Sequence, residues 1–195
     1  IVVPVIAVLV LRMTADGLEI TAYLRARLQA LGLAVTVVDS GILGDPLGIE
    51  LDPTQDISRA QAATYGGFTI EQLRNAGSRG RAVAGMREAL KTLAIKRYRE
   101  AELSAVVSMG GAEGAIMGAA AMMQLPLGVP KVLVSPIASG KHFFDPMVGT
   151  SDVMVVHSVV DILGLNPIST TIFDNVAAAL KGMVEHGHVL PPPES

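Results

Sequence analysis

Ile1-Val-Val-Pro-Val-Ile-Ala-Val-Leu-Val10 is an unbroken apolar and mostly β-branched run, and it limits the folds open to this chain. A strand with one wetted face alternates apolar and polar residues. This run does not alternate, so it predicts a strand covered on both faces, as in a parallel sheet. Leu18 to Leu31 follows, with Leu24, Leu28 and Leu31 at helical spacing, and Gly32 stops that helix. Leu33-Ala-Val-Thr-Val-Val-Asp39 reads as a second strand. Strand, helix and strand in this order make a βαβ unit with a right-handed crossover.

The same alternation continues. Residues 40–57 hold several Gly, Pro and Asp and read as a loop. Asp56 or Ser58 can cap a short helix through about residue 65. Arg79 to Ala101 reads as a long helix that turns Val83, Met86, Leu90, Leu93 and Tyr98 inward. Ser104 to Met109 is a third strand, running into Gly110-Gly111 and an Ala- and Met-rich helix to Gln124. Lys131 to Ser135 and Val153 to His157 are strands four and five, and a last helix covers about Ser169 to Glu185. The expected fold is α/β, a Rossmann-like three-layer domain with a mostly parallel sheet. At 195 residues one domain is the default, since a domain holds roughly 100–200 residues. It is expected to span residues 1–185, with 186–195 as a Pro-rich tail or linker stub. The absent initiator Met leads to the expectation that native residues precede Ile1.

Composition excludes several classes. Half of the residues are hydrophobic but few are aromatic, so the core must be built from aliphatic side chains and Met. The Met residues of 109–123 fit core filling, and a small-residue helix of this kind can also form a dimer face. A net charge of −3 argues against a nucleic-acid partner, which calls for a basic face. No apolar run reaches the ~18 residues of a membrane span. The absence of cysteine excludes disulfides, thiolate metal sites and a thiol nucleophile, and fits a cytoplasmic location. No internal repeat is present.

The polar segments fall at strand ends, where open parallel sheets bind ligands. They are Thr14 to Gly17, Asp39-Ser-Gly41, Gly110-Gly111-Ala-Glu113-Gly114, Ser135 to Gly140 and His157 to Asp161. A glycine loop opening a helix lets backbone approach an anion and presents free N–H groups to it. The alternative for Gly110 to Gly114 is a tight turn that packs the small-residue helix on the sheet. It is neither a Walker A loop nor a GxGxxG fingerprint. Glu113 would repel a phosphate there. Ser139, Gly140 and Lys141 make a second candidate phosphate loop, or an ordinary solvated one. Asp39 ends a strand at the place that holds ribose hydroxyls in dinucleotide folds, or caps the next turn. Asp161, with Asp145 and Asp152, could hold magnesium through water, or form turns. His157 is the histidine nearest the proposed cleft. No catalytic triad, metal-hydrolase motif or activated nucleophile is visible, so no reaction follows from the residues.

From Leu31 onward several stretches together carry a resemblance. They are Val38-Asp39-Ser-Gly41-Ile-Leu-Gly44, Asp56-Ile-Ser-Arg59, Gly110-Gly111 with Gly114, Leu125 to Lys131, Val134-Ser135 with Ala138-Ser139-Gly140, Val148-Gly149 with Ser151-Asp152, and Ser158 to Asn166. In order and spacing the chain resembles the amino-terminal ATP-binding domain of the tomato mosaic virus resistance protein family and its bacterial and fungal relatives. The resemblance implies a Rossmann-like domain, ATP binding (with magnesium as the nucleotide's companion), self-association as a homodimer, and a following domain resembling a TIM barrel. Two stretches depart from the family pattern. Its Gly-Thr-x-Asp-Thr-Lys loop is Leu11-Arg-Met-Thr-Ala-Asp16 here, and its Gly-Gly-Ser-Gly-Gly-Thr loop is Gly110-Gly-Ala-Glu-Gly-Ala115. Both changes remove groups suited to phosphate, so weakened ATP binding is expected. The other functions expected are an enzyme domain for a small carboxylate or phosphate metabolite, and a protein-interaction module with a vestigial cleft.

Overall fold

The computed structural model describes residues 7–12, 18–42, 51–139 and 148–190. Five strands, β1 (Ala7–Arg12), β2 (Ala34–Asp39), β3 (Ala105–Met109), β4 (Lys131–Ser135) and β5 (Met154–His157), form one sheet in the order β2-β1-β3-β4-β5. Every pairing is parallel. The helices are α1 (Leu18–Ala30), α2 (Arg59–Thr64), α3 (Ile70–Arg74), α4 (Arg79–Arg99), α5 (Ala112–Met122) and α6 (Pro167–His186).

Strand periodicity sorts the core into two layers. Val106 and Leu133 face a cluster with Met86, Leu90 and Leu93 of α4 and Met117 and Met122 of α5. Val107, Val132 and Val134 face the other cluster, with Ile20, Leu24 and Leu28 of α1 and Phe173, Val176 and Leu180 of α6. β3 and β4 are buried along their whole length, which is why they read as continuous apolar runs. Removing one such aliphatic side chain from water is worth about 1.5–3 kcal/mol. The α/β, three-layer expectation is met.

Several boundaries differ from the sequence reading, each for a local reason. Ser58, not Asp56, caps α2, in a reciprocal box with Gln61. Asp56 is instead buried, accepting from the Arg25 guanidinium, Val37 N (2.8 Å) and Asp52 N (2.8 Å). A short helix, α3, was not anticipated; Thr69 and Gln72 form its capping box. α6 begins two residues before Ser169, with Asn166 as cap and Pro167 in the first turn. The sequence expectation of a linker from residue 186 also meets a difference. Leu190 N donates to Leu127 O (3.0 Å). Gly128, at φ +92°, lies so close beneath that a Cβ would meet His188 O at 2.0 Å. Residues 187–190 therefore run against the loop that precedes β4.

That loop is fixed by a buried lysine. Lys131 Nζ donates to Pro126 O (2.7 Å), Val129 O (3.1 Å) and Asp152 Oδ1 (2.6 Å). Gly128 N donates to Asp152 Oδ2 (2.7 Å). Two of the resemblance-bearing stretches, 125–131 and 151–152, thus meet in one ion pair. Burial works against the ionised Asp152, but the Lys131 ammonium and the Gly128 N–H outweigh it, so its carboxyl titrates below the ordinary value. A carboxylate with a depressed folded pKa adds stability above its unfolded pKa, and that stability is lost as pH falls through the folded value. Acidification below about pH 4 should lower the urea midpoint. The loss in that range should be smaller in Asp152→Asn than in the parent, and parallel pH profiles of the two would exclude this role.

Candidate functional site

Among the described residues the strand order creates one switch point. From β1 the chain crosses to β2 on one side, and from β2 it returns past β1 to β3 on the other. Ligands in open α/β sheets bind outside the carboxyl ends of the strands at such a crevice, here between β1 and β3. The register brings the strand ends level. Arg12 lies beside Asp39 and Met109, Met109 beside Val134, and Ser135 beside His157. The segments that follow these strands therefore share one edge of the sheet.

Gly110 and Gly111 follow β3 at the switch point. Gly110 is packed close: a Cβ on it would meet Gly114 Cα at 3.2 Å. Gly111 is exposed, and a Cβ on it would meet nothing within 4 Å. It is the N-cap of α5 and provides no side-chain cap. The first N–H groups of α5, an 11-residue helix, are thus left without a capping side chain beside an open glycine.

Glu113 lies in the first turn of α5. Arg79, at the start of α4, grips it: Arg79 Nε stands 2.8 and 2.9 Å from the two carboxylate oxygens and Nη2 2.5 Å from Oε2. The bonded carboxylate holds the Arg79 guanidinium above its usual pKa. The sequence alone made Glu113 an uncompensated negative charge at the phosphate position. In the fold the pair is neutral in sum, and a guanidinium that is 65% exposed stands at the same corner. Sequence reasoning missed Arg79 because 34 residues separate it from Glu113; no periodic pattern links the starts of two helices.

Four other candidates have structural duties. Asp39 is buried; its Oδ1 accepts from Gly41 N (2.9 Å) and its Oδ2 from Arg59 Nε (2.8 Å). Both oxygens are therefore engaged within the protein, and Gly41 serves the turn rather than an open cleft. Ser135 is fully buried and donates to Gly110 O (2.7 Å), tying β4 to the glycine loop. Gly114 is buried under Gly110.

The remaining candidates are more open. Ser139 is half-buried beyond the turn after β4. Asp161 is exposed and accepts from Ile162 N (2.9 Å). His157 Nδ1 accepts from Val159 N (3.2 Å). Val159 sits at φ +63°, uncommon for a β-branched residue, in a tight turn closed by Val160 N donating to Ser158 O (2.6 Å). Thr14, Gly140 and Lys141 lie outside the described residues. Among the described residues no cluster of three His, Asp or Glu could hold a metal, and no helix is long and apolar enough to cross a membrane.

Comparison with known proteins gives the family. The chain is 37% identical over 154 residues to a UPF0261 protein of Clostridium tetani, covering 79% of this chain and 36% of that one. It is 34% identical over 183 residues to a UPF0261 protein of Mesorhizobium japonicum, covering 93% and 43%. It is 42% identical over 106 residues to the ToMV susceptible protein tm-1 of Solanum lycopersicum, covering 54% and 14%. The chain thus spans less than half the length of these relatives. The family model described as "Uncharacterised protein family (UPF0261) N-terminal domain" matches residues 7–188, and with that match over nearly the whole sequence the chain belongs to the UPF0261 family.

Proposed function

We propose that the corner formed by Gly110, Gly111, the start of α5 and Arg79 binds the phosphate groups of a nucleotide, ATP being the ligand implied by the family resemblance. The observation that carries this reading is one of position. At the reversal of strand order between β1 and β3, the chain places a glycine with open space around it, a helix start without a side-chain cap, and an exposed guanidinium. Backbone N–H groups at a helix start together with an arginine suit a phosphate oxygen. Asp39 does not join the site, since Gly41 and Arg59 occupy its oxygens. Magnesium would rest mainly on phosphate oxygens, with Asp161 the exposed carboxylate at that edge.

Titration calorimetry with ATP tests the reading through three variants. Gly111→Ala should cost the fold less than about 1 kcal/mol, because Gly111 has an ordinary φ of −66° and free space. It should nevertheless weaken ATP binding, since a Cβ keeps phosphate from the backbone. Arg79→Met should weaken binding about threefold to tenfold, the lower end reflecting solvent screening. Glu113→Ser should tighten it, because it frees the guanidinium and removes the carboxylate. Unchanged affinity in all three variants would place ATP elsewhere or nowhere. Inorganic phosphate and citrate in the same series separate a nucleotide site from one for a small phosphate or carboxylate metabolite.

A second reading, self-association, has its own observation. Val159, Leu163, Leu165 and Ile168, between β5 and the first turn of α6, are 62, 65, 43 and 46% exposed. A homodimer would cover such side chains. Sedimentation of the parent and of Leu163→Asp tests this; identical monomeric profiles count against it.

A further inference from the structure

A second cavity lies on the flank of the sheet outside β2. It measures about 580 Å³ and is lined by the 53–57 loop, α2 and the second half of α4. Ligand clefts for small molecules fall at about 300–1,000 Å³ but are mostly apolar. This one is walled mainly by hydroxyl, amide and cationic groups; the Asp56 carboxylate at its base is buried and bonded to Arg25, Val37 N and Asp52 N.

The hydrogen-bond ledger of the wall states what it can recognise. Thr54 Oγ1 donates to Asp52 Oδ1 (2.6 Å), Thr64 Oγ1 to Gln61 O (2.6 Å) and Thr92 Oγ1 to Glu88 O (3.2 Å). Each hydroxyl has committed its single proton inward and keeps oxygen lone pairs for the cavity. Three exposed hydroxyls therefore act as acceptors, and suit a ligand that donates. Gln61 does the reverse. Its Oε1 accepts from Ser58 N (2.9 Å) and Ser58 Oγ (3.0 Å), which fixes the amide orientation and turns the NH₂ donors away from the cap.

Two cations complete the wall. Lys96 Nζ stands 5.5 Å from the centre of the Tyr65 ring, and its carboxylate partner Glu100 is distant at 3.9 Å. Arg97 is bonded to Glu102, which leaves part of its five-donor fork uncommitted. Cations in the last turn of a helix also complement its dipole. That role explains their charge but not the facing row of threonine acceptors.

We infer that this cavity is a binding site for a small polyol that carries one anionic group, such as a sugar phosphate or sugar acid. The polyol hydroxyls donate to Thr54, Thr64 and Thr92, and the anion rests on Lys96, Arg97 and the Gln61 amide. No atom of the Gly110 corner takes part, so this site stands or falls independently of nucleotide binding there.

Amide NMR titrations of the 195-residue chain with ribose 5-phosphate, gluconate and myo-inositol 1-phosphate test the inference, with ribose and inorganic phosphate as half-ligands. Saturable shifts at Thr64, Thr92 and Lys96 are expected for at least one of the three probes, at concentrations tenfold or more below those needed for either half-ligand. Thr92→Val, an exposed change that should not disturb folding, should weaken that binding threefold or more. Lys96→Met should weaken binding of the anionic probe and leave ribose unaffected. Gly111→Ala should leave the groove's response intact. Silence toward all three probes, a response no stronger than to the half-ligands, or full affinity in Thr92→Val overturns the inference.

Discussion

Arg59→Met should lower stability by about 3–5 kcal/mol, the usual cost of stranding one member of a buried ion pair. The side chains of Arg59 and Asp39 are 9 and 5% exposed, and Arg59 Nε lies 2.8 Å from Asp39 Oδ2. Removing the guanidinium leaves a carboxylate in the interior, with Gly41 N donating to its other oxygen. In a domain of this size the loss should lower Tm by roughly 6–20 °C. Asp39→Asn combined with Arg59→Met should recover much of it, because a neutral amide tolerates burial better than a stranded charge. Urea unfolding of the parent, the single variant and the double variant gives both values. A single-variant loss below about 1 kcal/mol would mean that water reaches Asp39 readily. The same set of variants would show whether Asp39 is free to serve a ligand, since a pair this costly to break is a poor donor of binding groups.

Gly118→Ala should also destabilise the fold measurably. α5 crosses β3 so closely that a Cβ on Gly118 would lie 2.0 Å from Ser108 Oγ and 2.3 Å from Ser108 Cβ. Rotating the serine hydroxyl relieves the first clash but not the second, because a Cβ does not move with χ1. Helix and strand must separate, in a layer where Val106, Ala115, Ala119 and Ala121 are all fully buried. Overpacking of this kind costs about 1–3 kcal/mol, and this site belongs at the upper end. Ser108→Gly in the same chain removes the obstructing atoms and should restore most of the loss, net of the glycine's own cost in a strand. A Gly118→Ala protein as stable as the parent would show that α5 can lift from the sheet freely. The α5 start would then be too mobile to serve as a prearranged anion site.

The sheet was legible because its strands are buried on both faces and so carry unbroken apolar runs; Ala105–Met109 and Lys131–Ser135 are the clearest cases. Helices followed from periodicity where they were long. α3 escaped because five residues hold too few turns for a pattern, and only its Thr69–Gln72 box marks it. At the candidate site, chain order located the glycine corner but not the roles of its neighbours. Asp39 and Ser135 stand where a ligand residue would stand, yet their partners, Arg59 and Gly110 O, are 20 and 25 residues away. A polar residue at a strand end reads alike whether it faces solvent or locks two loops, and only three-dimensional proximity separates the two. Lys131 makes the same point. It resembles a surface lysine in sequence and is fully buried, with three acceptors around its ammonium.

The buried ammonium also sets the mechanical geometry of the domain. β4 has Lys131 at one end, holding the loop against which residues 187–190 run, and Ser135 at the other, holding Gly110 O. Four residue steps of a parallel strand measure about 13 Å. Leu190 is held at the sheet end opposite the Gly110 corner, about one strand length away. Residue 190 and the candidate Gly110 corner thus lie toward opposite ends of a single hydrogen-bonded strand.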